Sequence, residues 1–218
     1  MKRTAKRVLV SGSILPVQAL LFAGVLAVIG FYSLAAYTNI LTTLLGVLAY
    51  IWYIAIYGLA KRTTAYSTII GGLAGALPPV AGYVSMVGHI DSAAIILFIL
   101  MQVWQMPHFY AIALFRAKEY KAAKLPIWSV THGLRKTKQQ ILIYIVLFVF
   151  TAPLLGIYGY IGNVAVVMLT AVAAYWLVRA VKTYNKLNDD AWARSMFGVS
   201  LIVLLVMSAM IGVGGYLP

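Results

Sequence analysis

The chain has 218 residues, 63% of them hydrophobic and 10% charged, where an ordinary water-soluble domain carries roughly 45 to 50% and about 25%. A water-soluble fold cannot hide that much apolar surface, and the lack of cysteine removes disulfides, thiolate-metal sites and thiol nucleophiles. The net charge of +13 would suggest nucleic acid in a soluble protein, so the bases have to be read against membrane topology first.

A spanning helix needs about 20 mostly apolar residues. In chain order, seven stretches reach that length, at about 13–36, 40–60, 66–86, 92–115, 139–159, 162–181 and 196–217. They predict an all-α integral membrane bundle, one domain over residues 1–218. The charged start before the first stretch is similar to that of a signal peptide, but the apolar run is too long and no cleavage site follows, so it is expected to stay.

The connections alternate in charge. Lys2, Arg3, Lys6 and Arg7 precede the first stretch; Lys61 and Arg62 follow the second; Arg116, Lys118, Lys121, Lys124, Arg135, Lys136 and Lys138 lie between the fourth and fifth; Arg179, Lys182, Lys186 and Arg194 lie between the last two. Every Lys and Arg therefore falls on one side of a seven-helix arrangement. The positive-inside rule makes that side cytoplasmic, with the N-terminus inside and the C-terminus outside. The basicity reports topology, and no nucleic-acid partner is expected.

The third stretch carries Gly71 and Gly75 at the spacing that brings membrane helices close. Its Pro78-Pro79 pair removes two backbone donors and is expected to kink or interrupt the helix beside a cavity. In the fourth stretch Gln102, Gln105 and His108 follow at i, i+3 spacing, a polar stripe beside Pro107. Ionisable groups at such depth point to function; His108 reads either that way or as a histidine satisfied by a neighbouring helix. His89 and His132 fall in connections and read as solvent-exposed. Arg3 and Arg7 stand four apart, a pair that on a helix grips one phosphate or serves only topology. The connection from 116 to 138 is long for a helix-helix link, and it holds Glu119 among cations.

The residues carry a resemblance. Lys2 to Gly12 resembles the segment that follows the first Asp-rich motif in the protoheme IX farnesyltransferases of the UbiA-type prenyltransferase family, with Val8 where that family usually has Pro. Ile69 to Tyr83 looks like the next signature, and Pro107-His108-Phe109 continuing to Phe115 is the most specific match. Glu119-Tyr120-Lys121-Ala122-Ala123 resembles the acidic second motif, with Glu119 where many members have Asp, and Leu125 to Val130 follows more loosely.

The resemblance implies a nine-helix bundle of which two helices and the first Asp-rich motif would precede Met1, so that the chain as written is expected to be N-terminally incomplete and impaired in turnover. It implies transfer of a farnesyl group from farnesyl diphosphate to the vinyl group of protoheme (heme B), giving heme O. Mg²⁺ would be the cofactor, with Glu119 the remaining carboxylate for it. The catalytic roles go to His108 and Glu119, the diphosphate to Arg3, Arg7, Arg62 and Lys118, and the cavity wall to Gln102, Gln105 and Tyr120. The implied setting is the lipid bilayer of a cell inner membrane rather than a mitochondrial one, with contact to heme A synthase or heme-copper oxidase assembly. Two other readings stand beside it. A UbiA-type enzyme acting on a quinone precursor typically has a second Asp-x-x-x-Asp, which residues 119–123 lack. A noncatalytic transporter or assembly factor would use the polar stripe as a path, but no inverted repeat is evident.

Overall fold

In the computed structural model, which describes residues 4–218, seven helices are long and apolar enough to cross a membrane: α1 (Pro16–Tyr37), α2 (Ile40–Thr63), α3 (Ser67–Val87), α4 (Ser92–Phe115), α5 (Gly133–Ile157), α6 (Asn163–Thr183) and α7 (Asp189–Tyr216). No strand occurs among the described residues.

Helix starts follow ordinary capping chemistry. The side chains of Asn39, Asp91 and Asn188 accept from the backbone N–H groups of Thr42, Ala94 and Ala191 at 2.9, 3.0 and 2.8 Å, satisfying donors that the first helical turn leaves open. Asn39 also donates through Nδ2 to the Val84 carbonyl at 2.8 Å, tying the start of α2 to the end of α3. Gly88 ends α3 at φ +80°, a left-handed conformation suited to glycine.

The core is organised on α4, which packs against α3, α5 and α7, while α6 closes the far side against α5 and α7. Trp176, Trp192, Tyr110 and Phe148 are its largest fully buried side chains. Two indoles knit the helices: Trp104 donates to the Ser200 carbonyl at 2.9 Å and Trp192 to the Ala180 carbonyl at 3.0 Å. α2 lies on α3, and α1 touches chiefly α2. No residue of α1 is buried, and its length and apolar composition suit a membrane span.

Several expectations change. α5 begins six residues before its apolar stretch and α7 seven before, because a helix continues past the bilayer wherever capping and packing support it, and hydropathy sees only the immersed part. The connection from 116 to 138 is accordingly not a loop: it holds short helices at Ala117–Ala122 and Trp128–Thr131 and then the first turns of α5. α3 runs unbroken through Pro78 and Pro79, so the pair removes hydrogen bonds without interrupting the helix. His132 is not simply solvated: its ring stacks on Trp128 with centroids 3.8 Å apart. Residues 5–15 form turns and no regular helix, and Arg7 is exposed; Arg3, and with it the expected pairing of Arg3 and Arg7, lies outside the described residues.

The α3 glycines serve two neighbours. A Cβ at Gly71 would sit 2.7 Å from the Tyr57 ring of α2, one at Gly72 would sit 2.6 Å from Met106 Cε of α4, and one at Gly75 would collide with Gln105 Oε1. Gly72 and Gly75 thus set the α3–α4 approach, while Gly71 makes room for an α2 aromatic.

Candidate active site

α2, α3 and α4 enclose a cavity of about 410 Å³. Its walls come from Tyr50, Tyr53 and Tyr57 of α2, the small residues Gly71, Gly72, Ala74 and Gly75 of α3, and Gln105, Phe109 and Ile112 of α4. At the end where the bases gather it is bordered by Lys61, Ser67, Thr68 and Tyr120, with Ile127 beneath. From Tyr50 to Lys61 the α2 wall rises about 16 Å at the usual helical rise.

Local features of the chain produce this shape. Trp52–Tyr57 is a π-helical turn inside α2, the widened winding that membrane and soluble proteins often place at functional sites. The Trp52 indole donates to the Ile70 carbonyl at 2.8 Å and holds that turn against α3. Opposite, Gly71 and Gly75 let the Tyr57 ring and the Gln105 amide of the cavity lining lie directly against the α3 backbone. Pro78 and Pro79 have no N–H, so the carbonyls four residues back, those of Ala74 and Gly75, lose their helical donors. Both residues line the cavity. At the floor, the Ser129 hydroxyl donates to the Ala113 carbonyl at 2.8 Å and pins the 128–131 turn under α4.

The polar stripe of α4 divides. Residues three apart drift by about 60° around a helix, and the three members meet three environments. Gln102 donates to the Ile69 carbonyl at 3.3 Å. Gln105 donates to the carbonyls of Gly72 at 3.3 Å and Met101 at 3.0 Å while lining the cavity. His108 has turned toward α7: it stacks on Trp104 at 5.1 Å, lies 4.8 Å from the Phe197 ring, and its Nδ1 is 2.7 Å from Ser200 Oγ.

The cations and the acid at the mouth also separate. Arg62 and Lys118 are exposed and outside the cavity wall, whereas Lys61 lines it with Nζ 5.5 Å from the Tyr57 ring centroid. The sequence singled out Arg62, and the aromatic positions at 50, 53 and 57, extended by one further turn to 61, are the signal that points to its neighbour Lys61. Glu119 accepts from Arg116 Nη1 at 3.0 Å, and Tyr120 beside it borders the cavity.

A lysine and hydroxyls at the mouth, aromatic and small residues along the length: the site defines a multi-pass membrane protein built around an amphiphile that is anionic at one end and apolar beyond. The comparisons agree. The model of the UbiA prenyltransferase family matches residues 1–206, and the chain belongs to that family. It is 42% identical over 219 residues to the protoheme IX farnesyltransferase of Citrobacter koseri, an alignment covering 100% of this chain and 74% of that protein. It is 41% identical over 214 residues to the protein of that name from Yersinia pseudotuberculosis, covering 98% and 72%. It is also 42% identical over 210 residues to protoheme IX farnesyltransferase 2 of a Shewanella species, covering 95% and 68%. No solved structure matches the chain.

Proposed function

We propose that this chain transfers the farnesyl group of farnesyl diphosphate to the vinyl group of protoheme IX, with addition of water, giving heme O and diphosphate. The observation that carries the reading is the cavity whose single lining cation among the described residues, Lys61, stands at the mouth of an aromatic wall. The family supports it, as do the donor and acceptor in the names of the relatives.

The allylic carbon-oxygen bond breaks and its electron pair leaves with the diphosphate. The vinyl carbon of the porphyrin then supplies the pair for the new carbon-carbon bond, and water closes the resulting cation and loses a proton. Lys61 meets the charge that develops on the leaving group, where a fixed cation in a poorly hydrated site acts most strongly. Tyr50, Tyr53, Tyr57 and Phe109 hold the apolar chain, keep water from the allylic cation and offer it ring faces. Gln105 shapes the α4 wall. Arg7, Arg62 and Lys118 act from outside the cavity, drawing the anionic end toward the mouth, and Arg3 joins them in meeting the diphosphate.

Among the described residues no group of three His, Asp or Glu side chains is placed to hold a metal. Glu119 offers one carboxylate, and Arg116 holds one of its oxygens. These residues do not make a Mg²⁺ cage by themselves; Mg²⁺ would arrive with the diphosphate, and Glu119 would be the protein carboxylate that meets it.

The one-sided bases set the N-terminus in the cytoplasm and the C-terminus outside, in a bacterial inner membrane. Heme O is then handed to heme A synthase or to heme-copper oxidase assembly. The test is expression of the 218-residue chain in a strain lacking heme O synthase, followed by heme extraction and mass spectrometry. Heme O in the extract supports the reading. Its absence, with the protein inserted in the membrane, sinks it.

A further inference from the structure

α2 and α3 border a second cavity, of about 340 Å³, and it continues the first. Along α2 the first cavity is lined from Lys61 to Ala49 and the second from Ala49 to Thr42; along α3 the first runs from Ser67 to Gly75 and the second from Leu77 to Ser85. Among the described residues Ala49 alone lines both. The side chain at their junction is therefore a single methyl group. Leu34 of α1 borders the second cavity, and the missing side chain of Gly46 lets it pack there: a Cβ at Gly46 would sit 2.8 Å from Leu34 Cδ1.

The helices are tied on both sides of that junction. Toward the mouth Trp52 donates to the Ile70 carbonyl at 2.8 Å, and beyond the second cavity Asn39 donates through Nδ2 to the Val84 carbonyl at 2.8 Å. Ala49 lies between these two α2–α3 bonds, so the helices do not spread there without breaking one of them. A stop for a flexible apolar chain needs that fixed width.

The lengths agree. From Lys61 to Ala49 the α2 wall extends about 18 Å. An extended isoprene unit covers about 5 Å at ordinary carbon bond lengths, so three units laid from Lys61 end beside Ala49 and a fourth reaches into the second cavity. From Ala49 the wall continues about 10 Å to Thr42, which is room for that further unit.

We propose that Ala49 sets the chain length of the isoprenoid diphosphate: its methyl group ends the space open to a three-unit tail and keeps a four-unit tail out of the second cavity. This rests on the farnesyl-transfer reading for the orientation of the donor, with the diphosphate at Lys61 and the tail toward Ala49. Ala49 meets only the end of the tail, so it decides which donor binds and takes no part in the bond-making at the mouth.

The test offers the purified 218-residue chain in nanodiscs an equimolar mixture of geranyl, farnesyl and geranylgeranyl diphosphate and reads the retained donors by mass spectrometry. Ratios within one sample do not depend on how much of a variant folds. The parent is expected to retain farnesyl over geranylgeranyl diphosphate by about 10-fold or more, the discrimination an apolar pocket gives by size. Ala49→Gly opens the junction and is expected to bring that ratio toward one. Ala49→Leu fills it and is expected to turn the preference toward geranyl diphosphate by about 10-fold. Ala55→Gly, the same change at an exposed α2 residue that lines neither cavity, is expected to keep the parent ratios. A parent that retains both longer donors equally, ratios unmoved by either Ala49 variant or moved as far by Ala55→Gly, or no donor retained by the folded parent overturns the proposal. Heme O formation with ratios that ignore position 49 would leave farnesyl transfer standing without this stop; ratios that follow position 49 in a chain that makes no heme O would do the reverse.

Discussion

Lys61 Nζ lies 5.5 Å from the ring centroid of Tyr57, one helical turn before it, and both side chains face the cavity between α2, α3 and α4. Position 61 rather than 62 is thus the cation of this site. Lys61→Met keeps the length and removes the charge, and farnesyl transfer should fall about 10²- to 10³-fold, the range for loss of one preorganised group on a developing negative charge. Arg62→Ala should cost far less. Steady-state heme O formation by both variants checks this; equal losses would remove Lys61 from its role.

The glycine seam predicts a packing defect. Gly75→Leu would drive its side chain into Gln105, and overpacking of this kind costs about 1–3 kcal/mol. Gly24 of α1 has nothing within 4 Å of a built Cβ, so Gly24→Leu should leave stability within about 0.5 kcal/mol. Thermal unfolding in detergent compares the two, and a Gly75→Leu protein as stable as the parent would mean that α3 and α4 do not approach as described.

Lys138 is only 8% exposed, whereas its partner Asp189, 2.9 Å away, is 43% exposed. Lys138 also donates to the Tyr184 carbonyl at 2.8 Å and lies 4.2 Å from the Tyr184 ring. The asymmetry predicts which deletion is worse. Lys138→Met leaves a carboxylate in water near a helix N-terminus and should cost little. Asp189→Ala strands a buried ammonium, and should destabilise by about 1–3 kcal/mol more. Unfolding midpoints of the two variants test the order.

On the opposite face the Ala94 backbone N–H, and after it the Tyr83 hydroxyl at 2.7 Å, hold the Asp91 carboxyl below its ordinary 3.8. A folded value below the unfolded one means stability that is present above pH 3.8 and is lost as pH falls through the depressed value. The difference in melting temperature between the parent and Asp91→Ala should therefore be full at neutral pH and shrink in acid. A difference that is flat with pH would exclude the carboxylate as its source.

How much of this was legible follows a physical division. The spans were readable because immersion in hydrocarbon demands long apolar runs, and the one-sided bases supported their number. Gln105 and Tyr120 were legible as cavity residues, the first as a costly polar group at depth, the second through its motif. Lys61 was not, because neighbouring residues on a helix point about 100° apart, and the π-helical turn at Trp52–Tyr57 shifts the winding in a way that no hydropathy pattern carries. Likewise the Gln102–Gln105–His108 spacing reads as one stripe, yet its drift delivers the histidine to α7, where the Ser200 partner is 92 positions away in sequence. The extensions of α5 and α7 before their apolar stretches are polar, and there apolar content stops reporting helix.

The most direct measurement is incorporation of isotope-labelled farnesyl diphosphate into protoheme IX by the purified chain in nanodiscs, read by mass spectrometry, for the parent protein and its Lys61→Met variant. The account predicts labelled heme O from the parent and a loss of about 10²-fold or more in the variant. Folded, membrane-inserted parent protein that consumes no farnesyl diphosphate in the presence of heme, or a Lys61→Met variant that matches it, would contradict the account.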